Sequence, residues 1–130
     1  MTEELKGGCK CGAVRYRGQR ASASAFRCHC RDCQRLTGSG HADMMPLDGA
    51  SFVIEGPAKA FVMKGRSGKT TFSGFCDVCG SQLTRRSERM SHLIYVHAGP
   101  LDDPGRYSPD RSIFADAAQP WDRDSIKAGS

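Results

Sequence analysis

CHCRDCQRLTG, residues Cys28 to Gly38, changes its period part-way along. Cys28 and Cys30 stand at i and i+2, the spacing that turns two side chains to one face of an extended segment and sends His29 to the other. From Arg31 the pattern suits a short helix: RDCQRLTG has Leu36 near its end and Gly38 where a helix stops. Cys33 then falls in the first turn, where free N–H groups and the helix dipole favour a thiolate. The C-x-C-x-x-C spacing lets all three sulfurs reach one metal ion locally, one ligand short of the four that a closed zinc site uses.

The other four of the seven cysteines lie in two distant pairs. Cys9 and Cys11 share one face of an extended segment, and Cys76 and Cys79 form a C-x-x-C turn. Each pair is followed by a glycine, Gly12 and Gly80. In a tetrahedral zinc site with Zn–S bonds of ~2.3 Å, neighbouring sulfurs lie roughly 3.8 Å apart, which two such arms meeting in space satisfy. The expectation is a closed structural zinc at Cys9, Cys11, Cys76 and Cys79 and an open zinc at Cys28, Cys30 and Cys33. His29 points away from the shared sulfur face, and His41 is the better outside candidate for a fourth ligand; closure by either of them, or by the distant His92 or His97, would make this a second, purely structural site.

The wider composition narrows the class. A chain of 130 residues has room for one domain, expected over 1–130 with a motif core over 7–83. The opening MTEELKGG lacks the basic flank and apolar stretch of a signal peptide, and no window approaches the ~18 apolar residues of a membrane span. A soluble cytoplasmic protein is the expectation, and in that compartment an odd number of reduced thiols points to metal or catalysis rather than disulfides. The formal charge of +5 would fall to about +2 with seven thiolates and two Zn²⁺, too little to argue for nucleic acid. Aromatic residues, at 8%, are too sparse for a single-strand stacking platform.

The texture along the chain is that of short strands and many turns, with fifteen glycines and six prolines. Alternation places Val14 and Tyr16 opposite Arg15 and Arg17, and Phe52 and Ile54 opposite Val53 and Glu55; HLIYVHA, from His92 to Ala98, reads as a further strand. AFVMKG from Ala60 and TTFSGF from Thr70 read as a hairpin whose turn, RSGK, gives Gly68 a positive φ. A mostly β, antiparallel fold with one short helix follows. The tail DRDSIKAGS, residues 122–130, is expected to be solvated and frayed.

GCKCG, CHCRDCQRLTG and FCDVCGS together resemble the three signatures of the glutathione-dependent formaldehyde-activating enzyme family, which includes centromere-protein-V-like members. The resemblance runs from Gly7 to Leu83 with the motifs in order. It implies a zinc-stabilised β-tent, a structural zinc on Cys9, Cys11, Cys76 and Cys79, and a catalytic zinc on Cys28, Cys30 and Cys33, the partition reached above from spacing. Downstream, SIFADAAQPW resembles the family's tail segment ending in tryptophan, here Trp121, but the histidine often found before the Ile is Ser112.

Three thiolates leave Zn²⁺ with a net charge of −1, a poor activator of water but a good host for a soft sulfur ligand. A thiol held there as thiolate is a nucleophile for a small carbonyl. The expected reaction, from the resemblance, is that of a carbon–sulfur lyase/synthase joining glutathione to formaldehyde to give S-(hydroxymethyl)glutathione, an aldehyde detoxification. His41, Asp32 or solvent could supply the proton, and Arg31 and Arg35 could meet glutathione carboxylates. Two other readings stand beside it: a zinc-stabilised binding module for a protein or nucleic acid, and a thiol-based metal or redox sensor on Cys28–Cys33. A zinc deaminase would need H-x-E with P-C-x-x-C, and no proline precedes Cys30 or Cys76.

Overall fold

A computed structural model describes residues 3–65 and 67–123. Among the described residues the strands are β1 (Glu4–Gly8), β2 (Arg15–Gln19), β3 (Phe26–Cys28), β4 (Ala42–Asp48), β5 (Val53–Glu55), β6 (Ala58–Lys64), β7 (Thr70–Cys76), β8 (Gln82–Ser87), β9 (Leu93–His97) and β10 (Arg111–Ile113), with one α-helix, α1 (Arg31–Thr37), between β3 and β4. They form two sheets, a small one in the order β1-β2-β5 and a larger one in the order β10-β3-β4-β9-β8-β7-β6. Every pairing is antiparallel except that of β10 with β3, which is parallel. The expected mostly β architecture with antiparallel sheets and one short helix is the one observed; the frayed tail lies, from residue 124 on, outside the described residues.

Alternation explains how the sheets meet. In β1 and β2, Leu5 and Tyr16 turn inward while Arg15 and Arg17 stay exposed, and Val14 just before β2 is also buried. These side chains pack with Met45 and Leu47 of β4, Leu83 of β8, and Ile94 and Val96 of β9 in a core between the two sheets. The intervening β4 residues Ala42 and Met44 face the other way and pack with Phe26, Cys28, Cys30 and Cys33. β4 is therefore buried on both faces, one toward the small sheet and one toward the thiols. Pro46 interrupts no ladder, because β3 pairs with β4 only as far as Met44.

The hairpin of β6 and β7 turns as expected, with Gly68 at φ +84°. β5 is less regular than its alternation suggests. Phe52 packs on the core, with its ring centroid 5.6 Å from that of Tyr16, but Val53 and Ile54 are both exposed at the edge of the small sheet. The parallel strand β10 follows a long excursion in which the Tyr107 hydroxyl lies 2.7 Å from the Phe26 carbonyl oxygen, tying the returning chain to β3.

Candidate functional site

The two cysteine pairs meet. Cys9, Cys11, Cys76 and Cys79 bring their sulfurs within 4.8 Å of one another, with Sγ–Sγ distances of 3.5 Å for Cys9–Cys11 and 3.8 Å for Cys11–Cys76. These distances suit four thiolates around one tetrahedral zinc. Both arms turn N–H groups onto sulfur: Val14 N–H donates to Cys9 Sγ, and the Val78 and Cys79 N–H groups point at Cys76 Sγ. Gly12 and Gly80 follow at φ +84° and +80°, a conformation in which a Cβ would strain the backbone. One arm belongs to the β1–β2 turn and the other to the β7–β8 turn, so the cluster links the two sheets.

The central three thiols gather on the far face of the large sheet, all buried, with their sulfurs within 4.8 Å of one another. β3 delivers Cys28, and Cys30 caps α1, its sulfur accepting the Cys33 N–H at 3.4 Å. Gly38 closes the helix in the left-handed conformation at φ +74°. Gln34, buried in α1, holds the segment in place: its Nε2 donates to the His29 carbonyl at 2.7 Å and to the Ala117 carbonyl at 3.1 Å, and its Oε1 accepts from Gln119. Thiol hydrogen bonds from Cys28 first, and then from Cys33, hold Cys30 far below the ordinary thiol range, while Cys28, donating to Cys30, is pushed up.

The thiols form the floor of a cavity of about 670 Å³, whose walls include Asp32, Arg85, Arg89, Tyr95, Arg111 and Phe114. Arg85 is the group that sequence reading missed. It stands on β8 directly opposite Tyr95 of β9, 8% exposed, with Nη1 3.7 Å from Cys33 Sγ and with Nε and Nη2 lacking hydrogen-bond partners. A buried guanidinium against thiolates offsets their charge. No local pattern announces it, because its partner is far away along the chain.

The other expected site residues fall elsewhere. Arg31, an expected glutathione contact, donates to Gln34, and neither it nor Arg35 is among the described residues that line the thiol cavity. His41, expected as proton donor, lines a separate cavity of about 490 Å³ with Thr37, Asp43 and His97. Neither His29 nor His41 joins the three thiols; both instead meet Asp122, and His92 is exposed. His97 is buried near Arg85, and burial first, then the guanidinium, lowers its pKa to about 4 against the pull of Asp43.

A mostly β chain with one four-cysteine and one three-cysteine cluster defines a class of metal-ready thiol protein. Residues 4–117 match the glutathione-dependent formaldehyde-activating enzyme family, and the chain belongs to that family. A Halomonas elongata protein named "Putative glutathione-dependent formaldehyde-activating enzyme" is 30% identical over 112 residues, which cover 82% of this chain and 71% of that one. In fold, the chain is similar to a crystal structure of a Rhodobacter sphaeroides protein, with a TM-score of 0.62 at 21% identity over 75% of this chain and 88% of that one. No helix among the described residues is long and apolar enough to cross a membrane.

Proposed function

We propose that the chain joins a thiol, glutathione, to formaldehyde or a related small aldehyde, giving S-(hydroxymethyl)glutathione, with Cys28, Cys30 and Cys33 holding a catalytic zinc and Cys9, Cys11, Cys76 and Cys79 a structural one. The observation that carries this reading is a buried trio of thiols at the base of a cavity that also holds a guanidinium with unpaired donors. Zinc held by the trio supplies a Lewis acid that favours the thiolate form of an entering thiol. The setting is the reducing cytoplasm.

Arg85 offsets the negative charge of the cysteine cluster, so that a further thiolate can approach it. Arg89 and Arg111, which both line the cavity, take the carboxylates of the tripeptide, the role first expected of Arg31 and Arg35. Phe114 and Met63 cover the apolar part of the thiol and exclude water. As the substrate sulfur attacks the aldehyde carbon, the S–C bond forms, the carbonyl π pair moves to oxygen, and the proton that left the thiol returns to that oxygen through Asp32, whose side chain lines the same cavity. No oxidant or reductant enters the balance.

The test is exchange spectroscopy on an equilibrium mixture of glutathione, formaldehyde and their adduct, with the spontaneous reaction subtracted. Faster exchange in the presence of zinc-loaded protein is expected. An unchanged rate across several thiols and aldehydes would move the chain to the reading of a zinc-stabilised binding module.

A further inference from the structure

The alternation that sends Cys28 and Cys30 to the thiol cavity sends His29 the opposite way, and there it meets groups from two distant parts of the chain. The ring of His41, from the loop after α1, lies tilted at 52° with its centroid 5.3 Å from that of His29, and Asp122, from the 3-10 turn Pro120–Asp122, reaches both rings. Asp122 Oδ2 lies 2.8 Å from His41 Nδ1 and 3.4 Å from His29 Nδ1. Nitrogen and oxygen ligands about 2.0–2.1 Å from a shared ion lie roughly 2.9 Å apart at right angles and 3.4 Å apart at the tetrahedral angle. The spacing is that of a coordination shell.

Two further observations point to a ligand. His29 is fully buried, and neither of its ring nitrogens makes a hydrogen bond. A buried imidazole is normally satisfied, and here Nδ1 has only the long approach to Asp122 at 3.4 Å, so the ring calls for a closer partner. His41 has the opposite excess: Nδ1 faces Asp122 and Nε2 faces Asp43 Oδ2 at 3.1 Å, whereas a neutral imidazole has one N–H to donate. A cation held by the two Nδ1 atoms and Asp122 gives His29 Nδ1 a partner and leaves the His41 Nε2–H to Asp43. That is the usual outer support of a metal-bound histidine, and Asp43 is itself held by Arg27 Nε at 2.9 Å and by the Tyr107 hydroxyl at 2.9 Å. Gly40 completes the cradle, since a Cβ there would collide with the Asp122 carboxylate.

We propose that His29, His41 and Asp122 form a further metal site, separate from both cysteine clusters, for a divalent first-row transition ion, with zinc as the working case. Two imidazoles and one carboxylate suit such an ion, whereas magnesium and calcium prefer oxygen ligands. The site fastens the segment around Asp122 behind the stretch from the end of β3 to the start of α1 that carries Cys28 and Cys30. It does not depend on the thiol-addition reading.

The test counts metal in the whole protein. Native mass spectrometry with added zinc should show the unaltered chain binding one equivalent more than either His41→Ala or Asp122→Ala, whatever the occupancy of the cysteine clusters. Asp43→Asn should weaken that equivalent by about 10–100-fold. Cobalt in the same position should give d–d absorption without the intense thiolate charge-transfer bands that cysteine sites produce. Equal stoichiometry in all three proteins overturns the proposal. So does a result needing no variant: His29 and His41 ring resonances that stay unmoved as zinc is added.

Discussion

Arg85 shows how much one side chain can matter that no motif contains. It is buried on a central strand with two of its nitrogens unpaired, and its Nη1 reaches the sulfur of Cys33 in the three-thiol cluster. A charge-assisted hydrogen bond is worth about 1.5–3 kcal/mol, so Arg85→Gln should lower kcat/KM for thiol and aldehyde by about 10–100-fold while the chain stays folded. Steady-state rates with the spontaneous reaction subtracted provide the check, and an unchanged kcat/KM would remove Arg85 from the site. His97 makes a separate prediction. Its folded pKa, about 4, lies below the ordinary 6.5, so the unfolded chain binds more protons between these values. Stability should therefore be complete above pH 6.5 and fall as pH drops toward 4, by on the order of 3 kcal/mol from this residue. Urea unfolding of His97→Gln should show a correspondingly flatter dependence over that window; a parallel curve would contradict it.

At the scale of the element, the legible parts were those with a local cause. The helix over Arg31–Thr37 with its stop at Gly38, the β6–β7 hairpin with its turn at Gly68, and the in–out pattern of Val14 to Arg17 follow from period and turn chemistry alone. β4 and β8 gave no such signal. β4 is buried on both faces, so Met44 and Met45 read as a plain apolar run, and β8 buries Thr84 and Arg85 beside Leu83, which hides its alternation. β10 pairs in parallel with a strand far earlier in the chain, an outcome set by packing rather than by its three residues. The helix itself depends on Gln34, which bonds the His29 carbonyl between two cysteines and the Ala117 carbonyl from the C-terminal segment. Gln34→Ala leaves the buried His29 acceptor and the part-buried Ala117 acceptor without this donor and should cost about 1–3 kcal/mol of stability, measured as a lower urea midpoint at constant slope. A change below about 0.5 kcal/mol would mean that Gln34 is not the fastening described.

Across the whole molecule, the division of cysteines into four and three could be read from spacing because each arm is local, and the structure brings together the same two groups. What could not be read was the meeting of His29 and His41 with Asp122, which depends on where the chain returns after β10. The two cysteine clusters also differ in mechanical role. Cys9 and Cys11 join Cys76 and Cys79 across the two sheets, whereas Cys28 to Cys33 clamp one loop. Structural zinc in small sites contributes about 10–16 kcal/mol, as large as the ~5–15 kcal/mol stability of a typical domain. Cys76→Ser should therefore unfold the chain, while Cys30→Ser should leave it folded and inactive; equal unfolding of both, followed by circular dichroism, would contradict that division. The central claim, that the three-thiol cluster receives a substrate thiol, is tested most directly by titrating cobalt-substituted protein with glutathione and, in parallel, with S-methylglutathione. The account predicts that glutathione strengthens the thiolate-to-cobalt charge-transfer absorption, saturating at one equivalent per chain, while the thioether has little effect. A spectrum that does not respond to glutathione, with cobalt confirmed on Cys28, Cys30 and Cys33, would contradict it.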